Sequence, residues 1–166
     1  MTRRIVVMGV SGAGKTTVGM ELARLAGLRF EDADGLHPPD NVAKMAAGTP
    51  LTDADRAPWL FAVGGILAAS EGGLVVACSA LKRAYRDAIR AAAPDTVFVQ
   101  LSVPRAELSD RVANRPGHFM PVSLLDSQLE TLEPLEADES GVVVDSEGGV
   151  AATAERALAS LSKAVG

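Results

Sequence analysis

The stretch Gly9-Val10-Ser11-Gly12-Ala13-Gly14-Lys15-Thr16 fits Gly-x-x-x-x-Gly-Lys-Ser/Thr and sits where an apolar run gives way to helical periodicity. Before it, Ile5, Val6, Val7 and Met8 form a short continuous apolar run of the kind a buried parallel strand shows. After it, Val18, Leu22 and Leu25 recur at helical spacing, so the stretch turns a strand into a helix. Gly9, Gly12 and Gly14 let the backbone take positive φ and come close to an anion. Ser11, Ala13 and Thr17 complete a loop whose N–H groups, with the helix N-terminus, would point at the phosphates of a nucleotide. Lys15 adds a mobile positive charge and Thr16 a hydroxyl for Mg²⁺. The competing reading, a glycine-rich turn that binds no nucleotide, does not account for the strand-loop-helix context.

The other 150 or so residues must build a sheet around that loop, and 166 residues suffice for one domain with a full core. At 48% hydrophobic and 22% charged residues, the composition is that of an ordinary globular protein rather than a fibre or a disordered tail. The net charge of −5 argues against a broad nucleic-acid surface. The apolar run after Arg3 and Arg4 is too short for a membrane span or a signal-peptide core, so a cytoplasmic protein without membrane contact is expected. Cys78 is the sole cysteine, which excludes an intrachain disulfide, and its apolar neighbours Leu74 to Ala77 predict a buried structural thiol.

Four further strands are expected: Leu28 to Glu31 or Asp32, Leu74 to Cys78, Thr96 to Leu101 and Gly141 to Asp145. Helices are expected between them, over Asp40–Met45, Asp53–Ser70, Ser79–Ala93, Pro104–Arg115, Ser123–Leu132 and Val150–Ala164. The alternation implies an α/β fold, a five-stranded parallel sheet with helices on both faces and right-handed crossovers. Gly64 and Gly65 weaken the second of these helices by about 1 kcal/mol each unless close packing requires them.

Asp32 and Asp34 close the second strand, at the sheet edge where ligands bind in such folds. If that end stays extended, both carboxylates project to one side; capping of the following turn is the plainer alternative. Directly after the third strand stands Ser79, where proteins with this phosphate-loop motif usually carry an aspartate, so Asp32 is the candidate carboxylate for the metal, acting through water. Two histidines, His37 and His118, are too few for a zinc site. Trp59 is read as core.

From Asp32 to Pro134 the chain resembles the gluconokinase family of small P-loop sugar-acid kinases. The resemblance is carried by Asp32-Ala33-Asp34, Leu36-His37-Pro38, Asn41, Lys44-Met45, Gly48-Thr49-Pro50-Leu51, Asp55-Arg56 and Pro58-Trp59-Leu60. It continues through Cys78-Ser79-Ala80-Leu81-Lys82, Tyr85-Arg86-Asp87, Arg111, Arg115, His118-Phe119, Ser127-Gln128 and Leu132-Glu133-Pro134. Ala33 departs from the usual glycine. The resemblance implies an adenylate-kinase-like fold with a small lid, here about 111–122, a homodimer, and transfer of the ATP γ-phosphate to the terminal hydroxyl of D-gluconate.

On that reading Asp34 orients the acceptor hydroxyl and takes its proton, although the division of labour between Asp32 and Asp34 stays open. Lys82 and Arg86, four apart with Tyr85 between them, are expected to share a helical face and bind the substrate carboxylate. Arg56, His37, His118 and Gln128 are expected around the acceptor, and Arg111 and Arg115 over the phosphates from the lid. Solvated surface is the competing reading for the basic helix, and pairing with Glu107 or Asp110 for the arginines at the lid. Shikimate kinase is the nearest alternative, but the glycine triplet it would show after the third strand is replaced by Cys78-Ser79-Ala80-Leu81.

Overall fold

The computed structural model describes residues 3–114 and 122–164. Among these, five parallel strands form one sheet in the order β2-β3-β1-β4-β5. They are β1 (Arg4–Met8), β2 (Arg29–Asp32), β3 (Leu74–Ala77), β4 (Val97–Ser102) and β5 (Gly141–Asp145). The apolar run of β1 lies at the centre, between β3 and β4. Being parallel and covered on both faces, it is apolar at every buried position.

The two-residue alternation of each strand splits the core into two layers. On one face Ile5, Val7, Val99 and Leu101 pack beneath α1 (Lys15–Ala26), α5 (Arg105–Ala113), α6 (Val122–Thr131) and α7 (Gly149–Ala164). On the other, Val6, Met8, Val76 and Phe98 pack beneath α3 (Asp53–Ala69) and α4 (Arg83–Ala92). Between β2 and α3 the chain makes a 3₁₀ turn at Ala33–Leu36 and a short α2 (Pro39–Ala46). Cys78 is buried as expected, and burial pushes its thiol up to about 12, leaving it protonated at neutral pH.

Helix α3 starts where a capping box dictates: Asp55 N–H donates to Thr52 Oγ1 at 3.1 Å, and Thr52 N–H to Asp55 Oδ2 at 2.9 Å. Its two glycines separate in role. A Cβ on Gly64 would lie 2.8 Å from Ala92 Cβ and 3.0 Å from Ile89 O, so Gly64 is what lets α3 lie against α4. Gly65 faces open space. Gly64→Ala is therefore expected to destabilise by about 1–3 kcal/mol through forced separation of the helices, whereas Gly65→Ala should stabilise by about 1 kcal/mol. Thermal unfolding of both variants checks this; shifts of the same sign would refute the packing account.

Two sequence expectations need correction. The helix expected from Ser79 begins only at Arg83, with Lys82 as its extended N-cap at φ −100° and ψ 147°. The intervening Ala80 holds φ 45°, a left-handed conformation that helix continuation forbids. The end of β2 also does not stay extended past Asp32, because Asp32 Oδ1 accepts the Asp34 N–H at 2.9 Å and bends the chain into the 3₁₀ turn.

Candidate active site

Register places the site. Asp32 pairs with Ala77 and Ala77 with Val7, so the β2, β3 and β1 termini lie side by side at one edge of the sheet. Gly9 N–H donates to Ser79 O at 3.2 Å, joining the phosphate loop to the segment after β3. This is the carboxyl edge where crevices form in open α/β sheets.

Within the loop, Gly12 and Gly14 hold φ 83° and 92°, and a Cβ on Gly12 would press to 3.2 Å of Val112 Cγ2. Gly14 caps α1 without any side chain doing so, which leaves the first-turn N–H groups facing outward for an anion. The N–H groups of Gly9, Ser11 and Ala13 serve the fold instead: they bond Ser79 O, Gln128 Oε1 and Val10 O. Those three residues therefore shape the cradle, and Gly14, Lys15, Thr16 and Thr17 line it. Lys15 Nζ donates to Val10 O at 3.0 Å, and Thr17 Oγ1 to Gly14 O at 3.2 Å.

Thr16 Oγ1 donates to Asp32 Oδ2 at 2.9 Å. A hydroxyl beside a carboxylate is a hard-oxygen donor pair, and the described residues include no group of three or more His, Cys, Asp or Glu able to enclose a metal. That set fits Mg²⁺, which keeps waters and phosphate oxygens in its shell rather than an all-protein cage. Asp34 projects from the 3₁₀ turn, exposed, and its carboxylate accepts no hydrogen bond from a described residue. Trp59 fixes the turn from below: buried as expected, it donates Nε1–H to Ala33 O at 2.7 Å.

His37 stacks on the same indole, 4.2 Å between centroids at 13°. The Asn41 amide nitrogen donates to Asp55 O at 2.8 Å and lies 3.3 Å from His37 Nδ1, so that ring nitrogen accepts and the proton sits on Nε2. Burial lowers the His37 pKa, with Arg56 acting the same way and Asp34 opposing, so the ring is neutral at physiological pH. It stands between the acidic turn and a second cluster.

That cluster gathers on Tyr85. Arg56 and Lys82 lie over its ring at 5.5 and 5.6 Å, and Arg56 Nη1 donates to Tyr85 Oη at 3.3 Å. Tyr85 in turn donates to Asp53 Oδ1 at 2.6 Å. Burial and that hydrogen bond push the phenol up to about 12. Lys82 and Arg56 approach the same Asp53 oxygen at 3.7 and 3.9 Å. Sequence reasoning missed Asp53, because an acid at the start of a helix is ordinary capping chemistry and carries no distinguishing signal.

Arg86 is corrected. Its guanidinium is fully buried, with Nε and Nη2 on Glu139 at 2.8 and 2.9 Å and the remaining donors on the carbonyls of Ala80, Leu81 and Pro134. No donor remains for a ligand. The reason lies in the helix start: with Lys82 outside α4, Arg86 falls on the inward face with Ile89. Arg83 and Arg90 are engaged with Asp87 and with Asp138 and Glu139 respectively, so neither joins the site.

Gln128 is the residue expected around the acceptor from the helix after the lid. It reaches the phosphate loop, where its Oε1 accepts the Ser11 N–H at 2.7 Å. Arg111 makes the Glu107 pairing of the competing reading, with Nη2 at 2.6 Å from Oε1, and its Nη1 donates to Gly12 O at 3.0 Å, against the phosphate loop. Arg115, His118 and the body of the expected lid lie outside the described residues.

A family model described as an AAA domain matches residues 5–135, which span the phosphate loop, the acidic turn and the cation cluster. A gluconokinase from Gluconobacter oxydans (strain 621H) is 51% identical over 148 residues, covering 87% of this chain and 83% of the relative. The crystal structure of a gluconokinase from Sinorhizobium meliloti 1021 superimposes with a TM-score of 0.88 at 50% identity, over 96% of this chain and 91% of that one. Shikimate kinase from Aquifex aeolicus shares the fold, with a TM-score of 0.65 at 19% identity. About half the residues are thus identical to each of these two gluconokinases, over 87% and 96% of this chain, and the chain belongs to the gluconokinase family of P-loop kinases.

Proposed function

We propose that the protein transfers the γ-phosphoryl group of ATP to the terminal hydroxyl of D-gluconate, giving 6-phospho-D-gluconate for the pentose phosphate pathway. The observation that carries this reading is the placement, along one sheet edge, of an anion cradle, a carboxylate that no described residue hydrogen-bonds and a pair of cations seated on Tyr85. Phosphoryl transfer asks the protein for positioning and charge neutralisation more than for covalent chemistry. Mg²⁺, when bound, would neutralise phosphate charge; Thr16 and Asp32 are the residues that would hold it.

Asp34 orients the acceptor hydroxyl and takes its proton, since Asp32 is already engaged by Thr16 and by the turn. Lys15 meets the phosphates. Arg56 and Lys82 bind the gluconate carboxylate, and His37, protonated on Nε2, donates to a hydroxyl of the chain between. Arg111, with Arg115 and His118, completes the lid side. The protein works in the cytoplasm as a homodimer; the outward face of α3, with Ala54, Ala57, Pro58 and a 74% exposed Phe61, is apolar surface that pairing would cover.

A coupled assay with MgATP over gluconate, other aldonic acids, shikimate and no acceptor tests the reading. ADP release stimulated by gluconate, and not by shikimate, is expected; equal release with every acceptor or with none would refute it. Sedimentation of the same preparation should give twice the chain mass.

A further inference from the structure

The hydrogen bond from Ser11 N–H to Gln128 Oε1 spans 117 positions of sequence at 2.7 Å, the short end of the normal range. The N–H belongs to the peptide unit joining Val10 to Ser11. The carbonyl of that same unit, Val10 O, accepts from Lys15 Nζ at 3.0 Å and from Ala13 N–H at 3.2 Å. One peptide plane is thus held at its N–H end by Gln128 and at its C=O end by the lysine that faces the phosphates. One residue further out on either side stand glycines, Gly9 at φ 151° and Gly12 at 83°, which add no side-chain packing to hold the plane. Ala13 N–H holds the plane from within the loop and Gln128 holds it from outside, and turning it would take Val10 O away from Lys15 Nζ.

We propose that Gln128 is a positioning residue of the phosphoryl-transfer site: by fixing the Val10–Ser11 peptide it sets the seat of the Lys15 ammonium and the shape of the anion cradle. Helix α6 is suited to the task because it is anchored independently, by buried Leu125 in the core and by Asp126, which Arg105 of α5 grips. The inference rests on the kinase reading of the loop but not on gluconate as acceptor.

Gln128→Met keeps the length and the helix preference and removes the acceptor. Mg²⁺-dependent binding of a fluorescent ADP analogue, titrated without any acceptor, should weaken about tenfold, the scale of one lost well-formed hydrogen bond. The melting temperature and the KM for gluconate should stay near wild type. Gln128→Asn keeps the amide but is one methylene too short to reach, and should match Met; it carries the test if the Met variant does not fold. Unchanged nucleotide affinity in both variants would overturn the proposal, as would an effect confined to the gluconate KM, which would mark a direct substrate contact. If gluconate itself is not the acceptor, the wild type fails in the turnover assay while the nucleotide titration still stands.

Discussion

Asp34→Asn is expected to lower the turnover number by about 10²–10⁴-fold, the range over which a positioned general base acts, with nucleotide affinity nearly unchanged. The substitution is isosteric, and the wild-type carboxylate accepts no hydrogen bond from a described residue, so the fold loses nothing when it goes. What goes is the ability to take a proton from the attacking hydroxyl. The 3₁₀ turn survives, since Asp32 Oδ1 and the Asp34 backbone N–H make it, together with Trp59 on Ala33 O. Asp32→Asn should differ in kind: it weakens the pairing with Thr16 and should raise the Mg²⁺ concentration needed for half-maximal rate. Steady-state kinetics across Mg²⁺ concentrations separates the two, and an Asp34→Asn enzyme with normal turnover would remove Asp34 from the base role.

Arg86→Met should destabilise the protein by about 3–5 kcal/mol at neutral pH, because it strips a buried carboxylate of its bidentate partner. Glu139 keeps Arg90 Nη2 at 2.6 Å and the Glu136 N–H at 2.9 Å, and Leu81 O keeps the Glu133 N–H at 2.7 Å, but the carbonyls of Ala80 and Pro134 lose their Arg86 donors. Burial opposes ionisation of Glu139, and hydrogen bonds from Arg86, from the Glu136 N–H and from Arg90 outweigh it, holding the carboxyl at about 2 against an ordinary 4.5. A carboxyl depressed on folding contributes stability that is fully present above its unfolded pKa and is lost as pH falls toward the folded one. The gap between wild type and variant should therefore be widest above pH 4.5 and narrow as pH drops toward 2. Urea unfolding as a function of pH measures it. A loss under about 1 kcal/mol, or one independent of pH, would show that the ion pair does not hold this corner together.

Much of the fold was legible because its signals are local. A continuous apolar run, a Gly-rich loop and a helical stripe within 25 residues determine β1, its loop and α1, and the alternation of such units leaves few arrangements but a parallel sheet. The acidic pair and the cations Arg56 and Lys82 with Tyr85 were likewise visible, as uncommon residue types at the ends of elements. The role of Arg86 was not. Whether a helix begins at Ser79 or Arg83 rotates every later side chain, and that start was decided by Ala80 at φ 45° and by carbonyls reaching a guanidinium whose partner lies 53 residues away. Gln128 is the same case at 117 residues.

The sequence alone determined which chemistry is available: residues 9–16 bring phosphate-binding backbone and a lysine wherever they fold, because glycine spacing and periodicity act over a few bonds. Only the tertiary structure decided which polar groups face that chemistry and which brace it. Arg56, Lys82, Arg86 and Gln128 are equally polar on paper. Packing left the first two half-exposed on Tyr85, closed the third in the core against Glu139, and set the fourth on the loop's backbone. A buried donor or acceptor must find its partner wherever the chain returns to it, and no local pattern records where that is.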